Sequence, residues 1–162
     1  MPFTPFHFGL GLAAKAVAPR RFSLALFIAL QVIIDLESLY NLVKHRYPVH
    51  TFLHTFVGAT SLAFGSSIIV FSVIVCWQPK SRYTKRQRFA WLGALALFAT
   101  WSHVILDGIM HQDAEPFWPF TTQNPLLALV RLNVLHLGLV ILGVVGLIGI
   151  AIPLLTQRIS RD

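Results

Sequence analysis

Four apolar runs constrain this chain more than any other feature. Phe22 to about Leu42, Val49 to about Trp77, Phe89 to about Met110 and Pro125 to about Leu155 are each long enough to cross a bilayer. Crossing takes about 20 residues of helix. A segment in lipid must satisfy its own backbone hydrogen bonds, so runs of this kind fold as helices. Only 12% of the 162 residues are charged, about half the share in a globular domain, roughly 25%. The mean hydropathy of +0.69 agrees. The expected fold is all-α: a polytopic membrane helical bundle with four full transmembrane helices plus a short N-terminal membrane helix, forming one domain over residues 1–162.

The short helix would start at Thr4-Pro5, a hydroxyl cap followed by proline at the first helical position, and stop at Pro19. It is only about 20 Å long at the α-helical rise, so it is a short or tilted span or a re-entrant piece. Ala16-Val17-Ala18 imitates a signal cleavage site, but no positive residue precedes the apolar stretch and Lys15 lies inside it. The segment is therefore read as uncleaved. A single cysteine, Cys76, excludes an internal disulfide and a cysteine-based zinc site, and near a helix end it is read as a packing residue.

The formal net charge is +7. The basic residues cluster between apolar runs, so topology explains them better than a nucleic-acid partner does. Pro19-Arg21, the Lys80-Arg88 loop and the tail with Arg158 and Arg161 fall on one side, which the positive-inside rule makes cytoplasmic. The chain is thus expected in the inner (plasma) membrane with its C-terminus cytoplasmic. The polar groups of the spans then collect at the opposite, outer side: Asp35 and Glu37, His50 and His54, His103, Asp107 and His111, Arg131 and His136, and His7 if the first helix starts there.

His103, Asp107 and His111 recur every four residues, which on a helix places them on one face. Imidazole and carboxylate are ligands for a divalent transition metal. The plain alternative is a buried His–Asp hydrogen bond that locks helices together. An aspartate at the centre of a membrane helix costs about 2.5 kcal/mol or more, so Asp35 and Asp107 need partners. His50-Thr51-Phe52-Leu53-His54 offers two imidazoles at i, i+4 on one helix. Asp35 and Glu37 are two apart and point to nearly opposite faces of an ideal helix. Asp35, one turn above Gln31, is the better ligand; Glu37 is a second ligand, a proton shuttle or a general base. Arg131 is a clamp for an anionic headgroup or a snorkelling cation. His136 is a proton shuttle or a core histidine. His111 and Asp113 either have a role at the site or lie beyond the helix in a solvated loop, and Trp118 suits an aromatic belt.

These elements resemble the YdjM-like family, described as inner-membrane-associated metal-dependent hydrolases. The resemblance rests on His7 in a short apolar helix, Asp35-Leu36-Glu37, the Lys44–Thr55 stretch, Ser102-His103-Val104-Ile105-Leu106-Asp107 and Trp118-Pro119. Ile34 stands where the family has proline before its first acid, and Glu37 where it has a second aspartate. The resemblance implies a membrane-embedded hydrolase; on the reading of the residues themselves, one or two divalent ions, zinc first, would be held by His50, His54, His103 and Asp107, with Asp35 and His7 or Glu37 completing the set. Glu37, Arg131 and His136 would be the catalytic residues, and a membrane lipid or lipid-linked ester or phosphoester the substrate. Other expectations are a bundle holding haem or a redox metal between His54 and His103, and an ion- or proton-handling transporter or assembly protein.

Overall fold

The computed structural model describes residues 5–77 and 83–159. Thr4, Lys80, Arg82 and Arg161 lie outside the described residues, as does the side chain of Arg158. Among those described, the chain is all helical: α1 (His7–Val17), α2 (Leu24–Val43), a 3₁₀ turn (Phe52–His54), α3 (Phe56–Trp77), α4 (Lys85–Met110) and α5 (Leu132–Ile159). α2, α3, α4 and α5 are long and apolar enough to cross a membrane, which marks an integral membrane protein.

Local chemistry sets the helix ends. The Ser23 hydroxyl accepts from Leu26 N–H and opens α2. Thr84 and Gln87 form a capping box that starts α4 at Lys85, so the helix takes in basic residues that the sequence pattern leaves in a loop. α3 begins at Phe56, not at Val49. Thr55 is its cap: extended at φ −105°, ψ 154°, its hydroxyl accepts from Gly58 N–H at 3.0 Å. Gly58 is needed there, because a Cβ would sit 1.9 Å from the Phe52 carbonyl oxygen. His50 and His54 consequently do not share a helix. α5 begins at Leu132, not at Pro125. Ala128, at φ 55°, donates its N–H to the Ile109 carbonyl, tying the preceding segment to the end of α4. Arg131 therefore precedes α5 and does not lie within it. Cys76 is exposed, not packed inside.

Phe27 and Leu30 of α2 pack with Ala63 of α3 and with Ala96 and Ala99 of α4. α1 runs along α5 at backbone contact. A Cβ on Gly9 would lie 2.0 Å from the Leu139 carbonyl oxygen, and one on Gly146 would lie 2.4 Å from the Leu12 carbonyl carbon. Small residues let helices approach this closely where lipid supplies no hydrophobic drive between them. α1 is thereby seated with His7 at the end of the bundle where α2 and α4 finish.

Candidate metal centre

Asp107, in the last turn of α4, is almost fully buried and forms the centre. Its Oδ2 lies 3.2 Å from His54 Nε2, 3.2 Å from His103 Nε2 and 4.0 Å from His50 Nε2. Its Oδ1 lies 3.4 Å from His7 Nε2 and 3.9 Å from His111 Nε2. Asp35 Oδ1 stands 3.4 Å from His103 Nε2. The structure thus brings together all six expected ligands, from α1, α2, the segment before α3, and α4. It adds His111, which α4 releases as its C-cap residue.

The other ring nitrogen of three histidines has its own partner. Gln31 Nε2 donates to the Ala99 carbonyl at 2.9 Å, which turns Gln31 Oε1 toward His103 Nδ1. Asp113 Oδ1 lies 2.8 Å from His50 Nδ1, while its Oδ2 accepts from Val49 and His50 N–H. Glu37 Oε2 accepts from Leu53 N–H at 2.8 Å and faces His54 Nδ1 at 3.5 Å. Amide oxygen and carboxylate only accept, so each Nδ1 carries the proton. In a neutral ring, Nε2 then presents a lone pair. Three such lone pairs converge on Asp107, itself an acceptor; the one on His54 also has the Ser38 hydroxyl at 3.2 Å.

Acceptors facing acceptors in a buried space need positive charge between them. Extra protons on every ring would gather several buried imidazolium ions, which desolvation and mutual repulsion oppose. A divalent cation resolves the arrangement with one charge centre. Ligand atoms of Asp35, His54, His103 and Asp107 all lie within 4.8 Å of one another, so these side chains can hold a metal ion. Outer acceptors that fix the tautomer and aim of each histidine accompany metal ligation as a rule.

No family model, curated protein or solved structure matches this chain. The geometry carries the functional reading alone. At the segment before α3, burial and neighbouring histidines push the His50 imidazole down from its usual value. Burial also acts against charge on Asp113, but His50 and the backbone N–H groups outweigh it and hold the carboxyl below 3.8.

The remaining residues fall outside this centre. Arg131 is exposed ahead of α5. His136, on α5, stacks against Phe6 at a centroid distance of 4.3 Å. Among the described residues neither makes a hydrogen bond or ion pair with the cluster, and Glu37 faces His54 Nδ1, the ring nitrogen away from Asp107. Sequence reasoning gave Gln31 and Asp113 no part in holding the histidines. Gln31, a polar residue one turn before Asp35 in an apolar span, carried a signal; Asp113 in its loop carried none. A cavity of about 300 Å³, lined by Pro48, His50, Thr51, Phe52, Glu115 and Trp118, adjoins His50. A larger apolar cavity of about 460 Å³ lies at the far end, against Val17, Arg21 and Trp91.

Proposed function

We propose that the protein is a membrane-embedded, metal-dependent hydrolase that acts on an ester or phosphoester bond of a lipid or lipid-linked substrate at the outer leaflet. The observation that carries the reading is the set of Nε2 atoms of His50, His54 and His103 aimed at one buried carboxylate, His103 Nε2 without any hydrogen-bond partner, and each of these rings held from behind by an acceptor. Asp35, His54, His103 and Asp107 hold the ion, and their nitrogen and oxygen donors suit zinc. A divalent ion in such a site lowers the pKa of a coordinated water to about 7 and polarises the scissile bond. Gln31, Glu37 and Asp113 position the histidines, which gives Glu37 a positioning role in place of general base. The cavity beside His50 admits the reacting part of the substrate, with Phe52 and Trp118 as an apolar wall.

The elements that carry the resemblance to the YdjM-like hydrolases are the ones that converge: His7, Asp35, His50, His54, His103 and Asp107. That convergence supports the family reading. A haem between His54 and His103 is disfavoured. Their ring centroids are 5.3 Å apart and both Nε2 atoms approach the same Asp107 oxygen, which leaves no slot for a planar macrocycle.

Elemental analysis of detergent-purified protein tests the reading beside a His103→Ala/Asp107→Ala double variant. Near-stoichiometric zinc or manganese in the wild type, lost in the variant, is the expected result, followed by hydrolysis in a screen of lipid esters and phosphoesters. A wild type free of metal after preparation without chelators would return the cluster to a structural or proton-handling role.

A further inference from the structure

We infer that the centre takes two divalent cations bridged by Asp107, the second held by His7, His111 and Asp107 Oδ1. The inference rests on the metal-centre reading above. Asp107 is approached on both oxygens. His54, His103 and Asp35 occupy the Oδ2 side, where a single ion already uses them. His7 and His111 approach Oδ1, at 3.4 and 3.9 Å.

The second side is unsatisfied in a way the first ion does not cure. His7 is 1% exposed, and neither of its ring nitrogens has a hydrogen-bond partner. Asp107 Oδ1 is likewise without one: the 3.4 Å approach of His7 is within ion-pair reach but lacks hydrogen-bond geometry. An ion bound through Oδ2 leaves both groups orphaned. An ion bound through Oδ1 gives His7 Nε2 and Asp107 Oδ1 a partner. Two imidazole nitrogens and one carboxylate oxygen form an open three-ligand set of the kind seen in catalytic metal sites. A carboxylate that binds one ion through each oxygen suits paired ions, which stand about 3.5–4 Å apart in hydrolytic two-metal sites. His50, with Nε2 4.0 Å from Oδ2 and its ring stacked on His111 at 4.2 Å, stands at the border between the two positions. His50, His111 and Asp113 also bring ligand atoms within 4.8 Å of one another, but Asp113 already accepts from His50 and from the backbone N–H groups of Val49 and His50, so His7, the unpartnered side chain, is the ligand this position is assigned.

Metal stoichiometry and electron paramagnetic resonance of Mn²⁺-loaded full-length protein test this. The expected wild type holds two Mn²⁺ or two Zn²⁺ per chain and gives an exchange-coupled manganese spectrum. His7→Gln and His111→Ala each reduce the content to one ion and convert the spectrum to that of an isolated Mn²⁺. His111 is a C-cap residue with its side chain 20% exposed, so its variant keeps the fold even where His7→Gln disturbs α1. One ion per chain in the wild type, with an uncoupled spectrum, overturns the second position and leaves the first standing. Two coupled ions that survive both substitutions also overturn this assignment. A wild type that binds neither metal overturns the metal centre itself.

Discussion

α2 and α4 bury 39% of their apolar windows inside the protein, whereas α3 buries 17% and α5 only 11%. The better-buried pair carries Gln31, Asp35, Glu37, His103 and Asp107. The lipid-facing pair carries no expected ligand. In water, apolar side chains drive helices inward. In lipid, a leucine gains little by moving from acyl chains to protein, and the groups that need an interior are the ionisable ones. The site therefore organises the packing of this bundle as much as the packing organises the site. The Gln31–Ala99 hydrogen bond joins α2 to α4 and aims His103 with the same side chain.

The largest test of this contrast removes the centre of the buried pair. Asp107→Ala leaves five imidazoles around an empty point; metal content is expected to fall to background and hydrolysis to vanish. Elemental analysis and a lipid-ester assay read both, and retained metal would break the comparison. A bulky residue at the glycine seat where α5 meets α1 ranks next. Gly146→Leu forces a side chain into the backbone of α1, with an expected loss of about 1–3 kcal/mol, seen as a lower thermal midpoint in detergent. Val140→Leu on the lipid face of α5 should stay within about 0.5 kcal/mol of wild type, and an equal loss there would show that exposure is not what separates the helices. Gln31→Ala is expected to weaken metal affinity about 10–100-fold while Gln31→Glu, which keeps an acceptor behind His103, recovers part of it in a competition titration.

The smallest effect concerns pH. The folded Asp113 carboxyl is held below 3.8, so its contribution to stability is fully present above pH 3.8 and disappears as pH falls through the lower folded value. Metal-free Asp113→Asn should lack that segment of the acid-denaturation curve. An unchanged curve would mean that the His50–Asp113 contact adds nothing to the fold.

Much of this was legible in the sequence. Apolar run length marked the four spanning helices, and the gathering of polar residues at one end of each run anticipated the convergence on Asp107. Capping and turn chemistry were less legible. The i, i+4 spacing of His50 and His54 suits a helix, yet Thr55 caps α3 only after both, and the pair reaches Asp107 from a loop and a 3₁₀ turn. Glu37 shares the leaflet of the ligands but points behind His54, because residues two apart on α2 diverge. His136 also lies near the ligand end of the bundle, yet α5 turns it against Phe6. Depth can be read from hydropathy; azimuth depends on neighbours that a single helix pattern does not encode.

The glycine seat between α1 and α5 has a consequence for how the centre closes. His7 lies on α1, while the surface that seats it, Leu139 to Gly146, lies on α5. Asp35, His54, His103 and Asp107 meet without α5, but His7 faces Asp107 only once α1 and α5 have packed, so any part of the centre that needs His7 depends on contact between two helices far apart in the sequence.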